Sequence, residues 1–175
     1  INIKGFKMVL VLVASLNENV NLANQIKNEL DNKNVDSKIV NLVDLNLPMY
    51  DTSKEQNNGI PQIALDLAKQ MEEATAYVVV SPEYNFSVSP VLVNTIAWVS
   101  RIGDDFRKLF ESRSVQLATH SGGSGVDLLN GLRTQFTKLG ANVMTKDILT
   151  TYQSKCDDKT LENILKSSCH TPLNW

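Results

Sequence analysis

Ser81-Pro82-Glu83-Tyr84-Asn85-Phe86-Ser87-Val88-Ser89-Pro90, read with the residues on either side, decides the fold of this chain. Before it, Ala76-Tyr77-Val78-Val79-Val80 is a short, almost wholly apolar run rich in β-branched residues. A strand covered on both faces reads this way, whereas a half-solvated strand alternates apolar with polar. After it, Ser89 and Pro90 have the residue types of an N-cap and a first helical position. Val91, Leu92, Thr95, Ile96, Trp98 and Val99 then recur at helical spacing. The stretch is therefore the loop of a strand-loop-helix unit. In open α/β sheets the loops at the carboxyl ends of strands form the ligand crevice, so Pro82 to Ser87 is where a planar cofactor is expected.

The same grammar repeats on both sides. Met8 to Ala14 predicts a buried parallel strand, Ser15 to Asn19 a polar turn, and Val20, Leu22, Ala23, Ile26 and Leu30 a helix running to about Asp31. Ser37 to Leu42 is a more polar strand, expected at a sheet edge. Val43 to Gly59, rich in Asp, Asn and Leu, reads as a long irregular connection, and loops of that length are usually functional or mobile. Pro61 to Glu73 predicts a helix with Ile63, Ala64, Leu67, Ala68 and Met71 on its inner face. Then come a fourth strand from Ser114 to Thr119, a glycine-rich loop from His120 to Gly125, and a helix from Val126 to Lys138 with Leu128, Leu129, Leu132 and Phe136 inward. Asn142 to Ile148 predicts a fifth strand and Lys159 to Ser168 a last short helix; Ile1 to Gly5 stay outside the fold reading. Strands separated by helices imply a three-layer α/β fold, a parallel sheet with helices on both faces. Five strands favour the order 2-1-3-4-5 over a six-strand dinucleotide fold.

The 175 residues suffice for one domain, spanning 1–175, with no need of disulfides or a structural metal. Net charge is −2 with Lys and Arg scattered, so neither a nucleic-acid footprint nor a basic membrane-surface helix is present in the sequence. The longest apolar run, Met8 to Ala14, is far below the ~20 residues of a membrane span, and the amino-terminal residues lack a signal-peptide pattern. A cytoplasmic location is the expectation. Cys156 and Cys169, thirteen residues apart, match neither a disulfide framework nor a zinc site and are expected to be free thiols. His170 beside Cys169 does not make a pair, because adjacent side chains point apart. Gly123-Ser124-Gly125 is two-thirds of a dinucleotide fingerprint, but Leu128 stands where the third glycine belongs and no P-loop Lys follows. With no nucleophile elbow, HExxH, paired carboxylates or metal cluster in the sequence, no catalytic acid, base or metal ligand is nominated.

Ser81 to Arg101 closely resembles the signature of the NADPH-dependent FMN reductase family, flavodoxin-like enzymes that include chromate, quinone and azo-dye reductases. The match runs without gaps through Ser81, Pro82, Glu83, Tyr84, Asn85, Ser87, Asn94, Trp98, Ser100 and Arg101. Phe86 stands where the family usually has Gly, Ser89-Pro90 where it has Pro-Gly, and Val93 and Ala97 where Lys and Asp are common. The likeness covers roughly Lys7 to Ile148.

The resemblance implies a flavodoxin-like FMN-binding domain, with the cofactor in the crevice formed by loops one, three and four. Its phosphate would lie on the first loop, among Ser15, Asn17, Asn19 and Asn21 and the free N–H groups that begin the following helix. The family reads Gly-Ser-Leu-Arg-x-x-Ser-x-Asn here; this chain is one residue shorter and lacks the Arg, with Ser15 the direct match and Asn17 and Asn21 as substitutes. Losing a charged hydrogen bond weakens binding by about 1.5–3 kcal/mol. Pro82, Glu83, Tyr84, Asn85 and Phe86 would lie along the flavin ring, and Ser121-Gly122-Gly123 would let the backbone approach it. His120 reads as a packed or solvated residue. The activity implied is electron transfer from NADPH or NADH through FMN to a small acceptor: a quinone, azo compound, metal oxyanion or free flavin. Two other readings stay open: a flavodoxin-type electron carrier, against which the charge of −2 argues, and a flavin-free binding module, which the missing Arg favours. The family implies a homodimer or homotetramer with Val91 to Arg101 near the contact, where Val93 and Ala97 either meet a partner or pack on the sheet. The Phe86 ring is expected over the flavin pocket or in the partner subunit.

Overall fold

The structure, a computed structural model, describes residues 8–155 and 158–168. In chain order it comprises β1 (Val9–Val13), α1 (Glu18–Asn32), β2 (Ser37–Asn41), α2 (Thr52–Asn58), α3 (Gln62–Glu73), β3 (Ala76–Val80), α4 (Pro90–Val99), β4 (Ser114–His120), α5 (Val126–Lys138), β5 (Asn142–Val143), β6 (Ile148–Thr150) and α6 (Asp158–Ser168). Every strand pairing is parallel. The sheet order is β2-β1-β3-β4-β5, with β6 also on β4, which is the flavodoxin-like order.

Because side chains alternate along a strand, each one feeds two cores. Val9, Val11 and Val13 of β1 pack with Leu22, Ala23, Ile26 and Leu30 of α1 and with Leu161 and Leu165 of α6. Leu10 and Leu12 face the other way, onto Leu67 and Met71 of α3, Leu92 and Ile96 of α4, and Leu128 and Phe136 of α5. That double burial is the reason β1 and β3 carry unbroken apolar runs. No helix among the described residues is long and apolar enough to cross a membrane.

Five local expectations need correction. The fifth strand is split: β4 pairs Ser114 and Val115 with β5, then Ala118 to His120 with β6, and the chain between leaves the ladder. Side chains tie down the gap, Gln116 Nε2 donating to Lys146 O at 2.7 Å and Arg133 reaching Met144 O at 2.8 Å and Asp147 at 2.6 Å. Burial raises the Asp147 carboxyl above the usual range, against the lowering pull of Arg133. α1 begins at Glu18, two residues earlier than its apolar spacing implied, with Asn17 at the cap. Val43 to Gly59 is not wholly irregular, since α2 lies within it, started by Asp51, whose carboxylate accepts from Lys54 N at 2.8 Å. α2 has no buried residue, so no apolar period announced it. Ile63 is exposed, and Ser89 takes the cap position of α4 without making a side-chain cap bond. Cys156, Cys169 and His170 lie outside the described residues.

The connection from Val43 to Gly59 is held by signature residues of α4 and of the turn that follows it. Asn94 Oδ1 accepts from Tyr50 N at 2.7 Å, while its Nδ2 donates to Leu47 O and Pro48 O. Trp98 Nε1 donates to Pro48 O at 2.7 Å and meets the Tyr50 ring edge-on at 5.1 Å. Arg101 Nε pairs with Glu55 at 3.1 Å, and that carboxylate, held low chiefly by the Tyr50 hydroxyl and then by Arg101, closes the latch.

Candidate functional site

β1, β3 and β4 are neighbours in the sheet, so the loops leaving their carboxyl ends rise side by side. Two side chains weld them together. Asn19, in the first turn of α1 and buried, donates from Nδ2 to His120 O at 2.9 Å and accepts at Oδ1 from His120 N at 2.7 Å. Glu83, in the middle loop, accepts at Oε2 from Ser121 Oγ at 2.7 Å and from Gly125 N at 3.1 Å. Ser121 Oγ in turn accepts from Gly123 N at 2.9 Å. The third loop is thus gripped from both sides.

In the first loop, Ser15 is buried and its carbonyl accepts from Asn41 Nδ2 at 3.1 Å, so the end of β2 also sets this loop. Asn17 and Asn21 are exposed. At the start of α1, Val20 N and Asn21 N donate to Asn17 O at 2.8 and 3.3 Å, which leaves Glu18 N and Asn19 N without an intrahelical acceptor, and Asn17 makes no side-chain cap bond to them. Asn19 differs from its neighbours: its amide is committed to the His120 backbone.

The middle loop ends in a tight hairpin. Tyr84 and Ser87 exchange both backbone hydrogen bonds, at 3.1 and 3.0 Å, around Asn85 and Phe86. Asn85 (φ 49°) and Phe86 (φ 61°) both have positive φ, the pattern of a type I′ turn. Phe86 therefore adopts a left-handed conformation that a glycine would take freely, at a strain of about 1–2 kcal/mol. Its ring is 75% exposed and gains almost nothing from this chain in return. Pro82 is buried; Tyr84 and Asn85 are exposed.

In the third loop, a Cβ on Gly122 would meet only Tyr152 at 4.0 Å, whereas one on Gly123 would press Glu83 Oε2 at 3.3 Å. Gly125, read from the sequence as part of the glycine-rich loop but not placed among the cofactor-binding residues, is the most constrained of the three: it has φ 68°, and a Cβ would lie 2.7 Å from Leu149 Cδ1. A glycine immediately ahead of a helix was the available signal. His120 is fixed by more than Asn19, with Nδ1 3.0 Å from Thr150 Oγ1 and the ring edge-on to Tyr152 at 4.8 Å. On that side a crevice of about 260 Å³ opens among Glu18, Asn21, Leu22, Gln25, His120, Thr150 and Lys155, beside the three loops and not over them. Tyr152, exposed next to Gly122, carried no sequence signal.

Among the described residues no group of three metal-ligating side chains comes together. The groups gathered here suit a planar, phosphate-bearing ligand: free N–H groups at a helix start, small glycines in the third loop, and Glu83 Oε1, an acceptor buried without a hydrogen-bond partner. FMN fits these residues.

A sheet of flavodoxin-like order whose three loops are welded together at its carboxyl ends places the chain among the flavodoxin-like α/β proteins. The pattern of the NADPH-dependent FMN reductase family matches residues 8–154, and the chain belongs to that family. It is 35% identical over 122 residues to the quinone reductase of Escherichia coli strain K12, a match spanning 67% of this chain and 63% of that protein. The matched region is thus under two thirds of the relative's length. It is 34% identical over 74 residues to the NADPH:quinone oxidoreductase of Arabidopsis thaliana, covering 42% of this chain and 38% of that one. Among solved structures, FerB, a flavoenzyme NAD(P)H:(acceptor) oxidoreductase from Paracoccus denitrificans, superposes with a TM-score of 0.75 at 19% identity, covering 93% of this chain and 95% of FerB. A flavodoxin from the domain Archaea superposes at 0.64 with 16% identity, covering 93% and 94%. At such identities these two structures speak for the fold alone.

Proposed function

We propose that the protein is an FMN-dependent NAD(P)H oxidoreductase that delivers electrons to a small acceptor, a quinone foremost. The observation that carries the reading is the tying together of the three loops by Asn19 and Glu83, in a chain of this family. Ser15, Asn17, Asn21 and the first N–H groups of α1 take the phosphate, the helix dipole supplying part of what the missing Arg would give. Asn19 sets the distance between that loop and His120. Pro82 to Phe86 and Ser121 to Gly123 line the ring. The chemistry the group supplies when bound is acceptance of a hydride from nicotinamide and delivery of two electrons to the acceptor, protons coming from solvent. FMN-loaded protein should oxidise NADPH in the presence of a one-ring quinone, at a rate well above that of FMN-stripped protein. A carrier that serves only protein partners would show no such turnover, and that result would remove the proposal.

The proposal extends to a single domain, a cytosolic location and a homodimer, with tetramers formed from dimers. Val93 is 45% exposed, so the outer face of α4 is not spent on the sheet, and it adds to exposed Tyr84 and Phe86 nearby in the chain. Apolar surface of this kind favours a partner. Light scattering at tens of micromolar should give at least twice the 19.4 kDa chain mass; a monomer would rule the dimer out.

Phe86 is expected to limit acceptor size. Phe86→Gly should raise kcat/KM for a two-ring quinone about tenfold while leaving a one-ring quinone within twofold, since relief of one steric conflict is worth about 1.4 kcal/mol. Stability should change little, as the left-handed strain relieved and the extra entropy of an unfolded glycine nearly cancel at about 1 kcal/mol each. Equal response by both quinones, or loss of the dimer, would make Phe86 a contact residue instead.

A further inference from the structure

Glu83 is unusual among the carboxylates of the described residues. One oxygen is fully engaged, accepting from Ser121 Oγ and Gly125 N, and the other, Oε1, is buried with no partner. No salt bridge reaches it among the described residues, where the ion pairs lie elsewhere. A half-buried carboxylate with no cation beside it and one oxygen buried without a partner projects a negative field less screened than that of a carboxylate in water, even with two donors on its other oxygen. That field acts at the third loop, because Oε2 sits 3.3 Å from the position of a Cβ on Gly123.

Resting on the FMN reading above, we propose that Glu83 sets the reduction potential of the bound flavin, its charge disfavouring the reduced ring while its hydrogen bonds hold the glycine loop. The two roles separate by substitution. Glu83→Gln keeps an oxygen for Gly125 N–H and Ser121 O–H and removes the charge. Glu83→Ala removes both.

The measurement is the FMN midpoint potential of wild type and E83Q by equilibrium dye titration, with fluorescence-quenching affinity for oxidised FMN and the melting temperature of FMN-free protein alongside. E83Q should raise the potential by about 30 mV, a tenfold shift in the ratio of oxidised to reduced affinity for a two-electron couple. The FMN-free melting temperature should stay within about 2 °C, roughly half the shift a 1 kcal/mol change gives a domain of this size. E83A should in addition weaken oxidised FMN about tenfold, because Ser121 and Gly125 lose their acceptor. Wild type should hold FMN at a potential below that of free FMN, which tests the charge even if E83Q does not fold. An unchanged or lowered potential in E83Q, or a wild-type potential above that of free FMN, overturns the proposal and leaves Glu83 a loop clamp. Failure of wild type to bind FMN overturns this proposal and the functional reading together, whereas binding with an unmoved potential overturns this one alone.

Discussion

Gly125→Ala should destabilise the protein by about 2–5 kcal/mol, the largest effect expected of any single methyl in the site. Two terms add. Left-handed φ costs a residue with a Cβ about 1–2 kcal/mol, and overpacking a filled site costs about 1–3 kcal/mol more. The new Cβ would stand 2.7 Å from Leu149 Cδ1, 3.2 Å from Thr119 Cγ2 and 3.3 Å from Ser121 Cβ. Leu149 is partly exposed and can swing away, but Thr119 and Ser121 are buried and cannot. Any backbone shift that relieves them draws Gly125 N away from Glu83, so the weld between middle and third loops fails with the packing. Gly103→Ala is the control: φ is 79° there, yet nothing lies within 4 Å of its Cβ, so only the conformational term of about 1–2 kcal/mol applies. Urea midpoints at unchanged slope measure both. Equal losses at the two positions would mean that the third loop is not packed as described.

Asn19→Ala should cost about 2 kcal/mol and weaken FMN binding at least tenfold. The substitution leaves His120 N–H and His120 O without partners at the end of β4, and an unsatisfied, partly buried backbone group costs about 1–3 kcal/mol. Asn19→Asp should not rescue, because a carboxylate can accept from His120 N–H but faces the His120 carbonyl with a second acceptor. The readout that separates site from scaffold is FMN affinity. If stability falls and affinity holds, Asn19 serves the fold and the first and third loops do not act together on the ligand.

Asn19 also shows where reading from sequence stops. The segment Ser15 to Asn21 was legible as a polar loop running into a helix, but four Ser and Asn residues within seven positions are indistinguishable by type. Only the placement of β4 beside β3 decides that Asn19 turns inward to His120 while Asn17 and Asn21 face solvent. β1, β3, β4 and their order were legible because double burial writes continuous apolar runs. The split of the fifth strand was not, since it depends on Gln116 and Arg133 reaching residues 30 and 11 positions away. α2 was hidden for the opposite reason: TSKEQNN is solvated on every side and carries only a cap signal. Phe86 was visible as a departure from its relatives, but its direction was not, because positive φ in a type I′ turn is set by the whole hairpin.

The welded loops are proposed to hold FMN. The most direct measurement is to release the cofactor by heat from gently purified protein, identify it by chromatography, and titrate the stripped protein with FMN and FAD. A single phosphate-sized loop at the start of α1, with no dinucleotide fingerprint behind a strand, predicts FMN at one per chain and no uptake of FAD. Recovery of FAD, or failure to take up either flavin at high micromolar concentration, would contradict it.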